Sequence, residues 1–165
     1  MQPGQIILLN GTSSAGKSTL AKTLQAALPE PYLHVGIDTM VFALPKRYLN
    51  PPFWHEVFRY IWPPDGRPEG LVIEAGPVGH KLVGGLHRMV AALAGAGNNV
   101  VVDHVLLEAA WVRECAELWG DLPALFVGVS ARWRWWSSGS ESGGTGRLGR
   151  LGPSLSESMP MGYMI

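Results

Sequence analysis

An eight-residue stretch near the start of the chain limits its possible folds more than any other feature. Residues 11–18 read GTSSAGKS and fit the pattern G-x-x-x-x-G-K-[ST], whose backbone N–H groups surround a phosphate. The pattern requires a strand before the loop and a helix after it. Both flanks are present, because the run 5–9 predicts a buried strand and apolar residues recur at helical spacing over 20–28. A chance match is the alternative, and the flanks argue against it.

Each part of this loop has a predicted task in binding ATP. The glycines let the backbone turn its N–H groups inward, and the positive end of the following helix adds attraction for an anion. Lys17 supplies a point charge for the phosphates, and the hydroxyl of Ser18 is placed to bind Mg²⁺. The predicted nucleotide-binding residues are Gly11, Thr12, Ser13, Ser14, Ala15, Gly16, Lys17, Ser18 and Thr19.

Strand and helix patterns alternate along the chain as far as residue 129. This alternation predicts one α/β domain, in which helices cover both faces of a parallel sheet. The further predicted strands are 32–37, 99–102 and 124–129, and the further predicted helices are 39–44, 79–96 and 108–119.

The segment 45–78 interrupts the alternation. It is rich in proline and aromatic residues, which is typical of an insertion that covers a substrate. We predict a helix over about 53–61 and a small strand over 71–75 within it. Its aromatic side chains have two interpretations, as the wall of a pocket or as part of the core.

Composition excludes several classes of function. The net charge of the 165 residues is zero, which argues against a nucleic-acid or anionic-membrane partner. No apolar run reaches the length of a membrane span, and the start lacks the basic region of a secretory signal. Cys115, the only cysteine, excludes a disulfide within the chain and is expected to be packed in a helix. We therefore expect a cytoplasmic protein.

Two aspartates follow predicted strands, where parallel sheets bind their ligands. Asp103 ends the strand 99–102 and either serves Mg²⁺ or caps a turn or helix. Asp38 ends the strand 32–37. It either accepts the proton of an attacking hydroxyl or forms the N-cap of the helical turn that begins at Thr39.

Other polar residues have less specific patterns. His104 is either a second polar residue of the site or a histidine satisfied within the core, and His34, which alternates with apolar neighbours, is expected to be structural. Four basic side chains within reach of a phosphate site are expected to be solvated instead. They are Lys46, Arg47, Arg59 and Arg88.

Taken in order, these segments resemble the chloramphenicol phosphotransferase-like P-loop kinases. The resemblance covers about residues 5–129. It is carried by IILLNGTSSAGKS at 6–18, LPEP at 28–31, GIDT at 36–39, AGNNVVVD at 96–103 and FVGV at 126–129. It implies a P-loop NTPase fold, transfer of the γ-phosphoryl group of ATP to a hydroxyl of a small molecule, and Asp38 as the base. It does not imply chloramphenicol as the acceptor.

Other functions stay open from the sequence. One is a kinase for a different acceptor class, such as a nucleotide-sugar or a sulfate ester nucleotide. Another is a nucleotide-binding regulator or pseudoenzyme that transfers nothing. Simple hydrolysis of a nucleoside triphosphate is a third, for which the sequence shows no dedicated water-positioning residue.

From Ser130 onward the chain departs from the family pattern. The family places a helix, an arginine-bearing lid and a strand here, whereas 130–165 is rich in Trp, Gly and Ser. We hypothesise a shifted reading frame, because moving back one base turns every TGG codon of 133–136 into a codon for an apolar residue. A genuine disordered tail is the alternative, with Arg147 and Arg150 as lid candidates. Either way, the C-terminal part of the fold is expected to be missing or disordered.

Overall fold

The computed structural model describes residues 2–67 and 70–130 of the chain. The hypothesis of a shifted frame and the two lid candidates concern the segment 131–165, which lies outside the described residues.

Strands and helices alternate through the described residues, as the sequence predicts. The strands are β1 (Ile6–Asn10), β2 (Tyr32–Gly36), β3 (Phe58–Ile61), β4 (Val72–Ala75), β5 (Asn99–His104) and β6 (Ala124–Gly128). The α-helices are α1 (Lys17–Ala27), α2 (Ile37–Phe42), α3 (Pro77–Gly95) and α4 (Ala109–Trp119). The turn predicted at 39–44 therefore begins two residues earlier, at Ile37.

Four of these strands form a parallel sheet with the order β2-β5-β1-β6. In its register, Asp103 of β5 lies between Leu9 of β1 and Gly36 of β2. The phosphate-binding loop follows β1 directly. The sheet therefore brings the loop, the end of β2 and Asp103 together at the carboxyl ends of the strands, where such sheets bind ligands.

Helices cover both faces of the sheet, which confirms the predicted fold class. Successive side chains of a strand point to opposite faces. Val100 and Val102 of β5 accordingly pack in the larger core, with α3 and α4, while Val101 packs in the smaller one, beside Ala21 of α1. Cys115 of α4 is fully buried in the larger core, as predicted.

The segment 45–78 differs from its prediction in one element. The helix predicted over about 53–61 is wrong, because a 3₁₀-helix ends at Glu56 and β3 begins at Phe58. β3 pairs in antiparallel register with β4, which confirms the small strand predicted at 71–75. Aromatic and β-branched residues favour such a half-buried strand, and pairing with a distant partner outweighs the local helical pattern.

β6 lies at one edge of the parallel sheet. Within the described residues it pairs only with β1. Its Leu125 and Phe126 side chains are 58% and 44% exposed, which is unusual for large apolar residues of a central sheet.

Of the helices in 2–67 and 70–130, none combines the length and apolar character needed to cross a membrane.

Candidate active site

The phosphate-binding loop adopts a backbone that its glycines make possible. Gly16 has a φ of 88° and is the N-cap residue of α1, and Ser14 also lies in the left-handed region with a φ of 61°. At Gly11, an added Cβ would lie 2.1 Å from the carbonyl oxygen of Val129. A side chain at position 11 would therefore push the loop away from the strand beside it.

Lys17 is held over the loop by the loop itself. Its ammonium donates hydrogen bonds to the carbonyl oxygens of Gly11 at 3.0 Å and Thr12 at 2.9 Å. The residue is only 7% exposed, and this burial lowers the pKa of Lys17, while the charges of Asp103 and Asp38 oppose that shift. A dianionic or trianionic phosphate at the loop would keep the ammonium charged.

The two predicted Mg²⁺ ligands are neighbours. The Ser18 hydroxyl donates to a carboxylate oxygen of Asp103 at 2.5 Å, and the other Asp103 oxygen lies 3.9 Å from Lys17 Nζ. Asp103 is not a helix cap, because the N-cap of α4 is Glu108. Hydroxyl and carboxylate oxygens are the donors that Mg²⁺ prefers, so this pair fits the ion.

The donor set for Mg²⁺ is small. Within residues 2–67 and 70–130, no group of three His, Cys, Asp or Glu side chains is placed to hold a metal ion. An ion held by Ser18 and Asp103 would take its remaining ligands from phosphate oxygens and water, as Mg²⁺ does in nucleotide sites.

Asp38 lies in the first turn of α2 and leaves one oxygen unsatisfied. The N-cap of α2 is Gly36, and no side chain caps this helix, so the interpretation of Asp38 as a cap is wrong. Its Oδ1 atom is buried and has no hydrogen-bond partner in the described part of the chain. Burial raises the pKa of Asp38, the Asp103 charge adds to the rise, and Lys17 opposes it. A carboxylate with this raised affinity for protons is suited to general-base catalysis.

One cavity joins most of these predicted site residues. Asp38 and Asp103 line it together with six of the nine predicted nucleotide-binding residues, namely Ser13, Ser14, Gly16, Lys17, Ser18 and Thr19. Gly11, Thr12 and Ala15 do not line it. Gly11 and Thr12 contribute through their carbonyl oxygens, which position Lys17.

His34, which was expected to be structural, also lines this cavity. Its Nε2 atom lies 3.8 Å from a carboxylate oxygen of Asp103. The neighbouring Leu33 is 43% exposed on the opposite face of β2, whereas His34 faces the phosphate cavity. The position of His34 near the carboxyl end of a predicted parallel strand was the signal in the sequence.

A second, mostly apolar cavity adjoins the first. It shares Ser13, Ile37 and Val105 with the phosphate cavity. Its other lining residues are Phe58, Tyr60, Ile73, His104, Leu107 and Trp111. The aromatic residues of the insertion therefore fill both of their predicted roles. Phe58 and Tyr60 line the cavity, and Trp54 stacks behind Tyr60 with ring planes 12° apart.

The remaining polar candidates mostly lie away from the phosphate cavity. His104 is 1% exposed and contacts His87, as the interpretation of a satisfied core histidine predicts, although its ring also forms part of the apolar cavity. Arg59 pairs with Glu74 across the hairpin, and Arg88 pairs with Glu114. Both arginines are more than half exposed.

Comparison with known proteins agrees with this geometry. A family model described as "Chloramphenicol phosphotransferase-like protein" matches residues 4–148. The chain belongs to this family. Two Mycobacterium tuberculosis relatives, named "Putative O-phosphotransferase MT2714" and "Putative O-phosphotransferase Rv2636", are each 32% identical over 132 residues. The match covers 78% of this chain and 58% of each relative, so the chain spans little more than half of their length.

Solved structures with the same fold are more distant. The structure of a Pnkp1/Rnl/Hen1 complex matches with a TM-score of 0.53 and 13% identity, over 80% of this chain and 37% of the other. The Mycobacterium tuberculosis APS kinase CysC, as a mutant, matches with a TM-score of 0.50 and 14% identity, over 78% of this chain and 75% of the other. These similarities support the P-loop NTPase α/β fold.

Proposed function

We propose that this protein is an ATP-dependent phosphotransferase that moves the γ-phosphoryl group to a hydroxyl of a small molecule. One observation carries the proposal. Asp38, which has one unsatisfied carboxylate oxygen, lines the same cavity as the phosphate-binding loop, and its neighbour Ile37 also lines the adjoining apolar cavity. A regulator that only binds a nucleotide has no need of a carboxylate with one buried, unsatisfied oxygen beside the phosphate site.

The residues of the phosphate cavity have different roles in the proposed transfer. Lys17 neutralises charge on the phosphates, and the loop N–H groups and the start of α1 add positive potential. Ser18 and Asp103 hold Mg²⁺, which neutralises charge on the phosphate oxygens when it is bound. Asp38 accepts the proton of the acceptor hydroxyl as the hydroxyl oxygen attacks.

The apolar cavity supplies a place for the body of the acceptor. Its walls are aromatic and aliphatic side chains from β3, β4 and α4. Ile37, the neighbour of Asp38 in the sequence, lines both cavities. An acceptor that fills the apolar cavity would therefore present its hydroxyl towards Asp38. This arrangement favours a small molecule with an apolar body over a nucleotide-sugar.

We further propose that transfer by this chain is slow. The resemblance implies lid arginines that stabilise charge on the transferring phosphoryl group, and an arginine in that role is worth about 10³–10⁵ in rate. The family model matches as far as residue 148, but we propose that the Trp-, Gly- and Ser-rich sequence of 130–165 lacks that lid. A gene whose frame is corrected near codon 130 is expected to encode a faster enzyme, and sequencing that region tests the hypothesis.

The experiment that tests the function follows radiolabelled phosphate from [γ-³²P]ATP over several hours, with Mg²⁺ and a panel of alcohols that includes chloramphenicol and benzyl alcohol. Wild-type protein is expected to label an alcohol. Lys17→Ala is expected to lose ATP affinity and labelling, whereas Lys22→Ala, an exposed lysine of α1, retains both. ATP binding without any labelled alcohol would contradict the proposal and favour a pseudoenzyme.

A further inference from the structure

A buried chain of hydrogen bonds connects the surface of α4 with the wall of the apolar cavity, and the phosphate chemistry does not use it. His87 of α3 and His104 of β5 are both at most 1% exposed. His87 Nδ1 lies 2.9 Å from a carboxylate oxygen of Glu114, and His87 Nε2 lies 3.2 Å from His104 Nε2. The last hydrogen bond of the series is donated by the Val105 N–H to His104 Nδ1 at 2.9 Å.

These contacts permit one placement of protons on the two neutral rings. Because Val105 N–H donates to His104 Nδ1, the proton of His104 lies on Nε2. This Nε2–H donates to His87 Nε2, so the proton of His87 lies on Nδ1 and is donated to the Glu114 carboxylate. Burial lowers the pKa of both histidines, which agrees with neutral rings. The Glu114 carboxylate, acting through His87, and the Val105 N–H thus both favour the Nε2–H tautomer of His104.

His104 and Val105, at the end of this series of hydrogen bonds, support the wall between the two cavities. The His104 ring stacks on Trp111 with planes 17° apart, and both line the apolar cavity. Val105 lines both cavities. The next residue, Leu106, donates its N–H to Asn10 Oδ1 at 2.9 Å. Two side chains therefore fix the segment that leaves β5, and His104 is the one of the two that also contacts the cavity.

A buried polar chain of this kind favours one arrangement over others. Buried polar groups cost free energy unless they are paired, so a fully paired network penalises every other orientation of its members. Trp119 adds to this restraint, because its indole N–H donates to the His87 carbonyl oxygen at 3.0 Å. Apolar residues at positions 87 and 104 would fill the same space without fixing Val105.

We propose that His87 and Glu114 are positioning residues for acceptor binding. They hold His104 in its Nε2–H form and thereby keep the wall formed by His104 and Val105 in place. This inference rests on the proposed function, because it takes the apolar cavity as the acceptor site.

Benzyl alcohol, an uncharged aromatic alcohol, serves as the probe, and its affinity is measured by NMR titration of the full chain. His87→Leu removes the acceptor for His104 Nε2–H, whereas His87→Gln offers an amide oxygen in its place. Glu114 is partly exposed, so Glu114→Leu breaks the same series of hydrogen bonds with less risk to folding. Glu117→Leu, on the exposed face of α4, is its control.

The two leucine variants that break the chain, at His87 and Glu114, are expected to weaken binding of benzyl alcohol at least about threefold. His87→Gln and Glu117→Leu are expected to stay within about twofold of wild type, and ATP affinity is expected to be unchanged throughout. Nitrogen-15 spectra of the wild-type histidine rings are expected to show the His104 proton on Nε2.

Two results would overturn the inference. One is wild-type protein in which benzyl alcohol leaves the Val105 and Trp111 signals unmoved. The other is wild-type affinity in both disrupting variants, with only their melting temperatures lowered, which is the result of a purely structural role. Absence of phosphoryl transfer, with the differences in affinity intact, would instead contradict the proposed function and leave the positioning role supported.

Discussion

Burial shifts the pKa values of two charged residues of the candidate site in opposite directions. It lowers the pKa of Lys17 and raises that of Asp38, so each is moved towards its neutral form. Their mutual attraction opposes both shifts. The site therefore carries charges that are costly until a phosphate and an acceptor hydroxyl are bound, which is typical of catalytic residues.

The raised pKa of Asp38 predicts that this residue lowers stability at neutral pH while it serves activity. The folded state binds the Asp38 proton more tightly than the unfolded state, whose pKa is near the ordinary value of 3.8. Asp38 therefore makes the free energy of unfolding fall as the pH rises from about 3.8 through the raised pKa. Asp38→Asn is expected to raise the melting temperature at pH 7 and to lose this advantage near pH 4.

Thermal melts of wild type and Asp38→Asn across this pH range test the prediction. Asp65→Asn is the control, because Asp65 is exposed and, among the described residues, forms an ion pair only with Arg67. An Asp38→Asn variant that is less stable than wild type at pH 7 would contradict the assigned direction of the shift.

The phosphate-binding loop and its ligands could be predicted from sequence because they are local. The loop pattern and its flanking strand and helix lie within about twenty residues. The run of valines in β5 predicts a buried strand that ends at Asp103. The His87–Glu114 pair had no such signal, because 27 residues separate its members and only the packing of α3 against α4 joins them. The position of His34 at the phosphate cavity was not predicted, since alternation alone does not say which face of an edge strand is covered.

At the scale of elements, the start of α3 is packed against the backbone of the insertion. A Cβ at Gly79 would lie 2.1 Å from the Val57 carbonyl oxygen, and one at Gly76 would lie 2.4 Å from the Glu56 carbonyl oxygen. Both carbonyls belong to the residues that directly precede β3. A 3₁₀-helix and β3 replace the helix predicted over 53–61, because this segment packs closely against the start of α3 and pairs with β4, and neither contact is visible in the local sequence.

Two alanine substitutions in α3 are expected to have opposite effects. Gly79→Ala forces its methyl group into the Val57 carbonyl oxygen and is expected to destabilise the fold by about 1–3 kcal/mol. At Gly85 a Cβ would meet only the Met40 side chain, at 3.6 Å. Gly85→Ala is expected to stabilise the helix by about 0.5–1 kcal/mol.

Denaturant unfolding of both variants measures these changes. The comparison is matched, because the two positions lie in one helix and receive the same methyl group. Equal effects at the two sites would show that helix propensity, not contact with the insertion, decides them.

At the scale of the whole molecule, the parallel sheet formed by the described residues ends in β6, which pairs only with β1 among them and carries the exposed side chains of Leu125 and Phe126. A sheet edge with such side chains invites pairing with a second copy of the chain. Leu125→Lys is expected to reduce concentration-dependent association, because a charged side chain at an edge opposes edge-to-edge pairing.

Sedimentation velocity over a range of concentrations tests this expectation. Val112→Lys is the control, since Val112 is 43% exposed on α4 rather than on a sheet edge. Association that is equal in wild type and Leu125→Lys would exclude β6 as the contact, and an equal loss in both variants would point to a general effect of charge.

The assignment of Asp38 as the base is tested most directly by phosphoryl transfer in Asp38→Asn. The assay uses saturating [γ-³²P]ATP with Mg²⁺ and an alcohol that wild-type protein labels, and Asp65→Asn serves as the exposed control. We expect Asp38→Asn to bind ATP as wild type does and to transfer phosphate at least about 10²-fold more slowly. Transfer by Asp38→Asn at the wild-type rate would contradict the account.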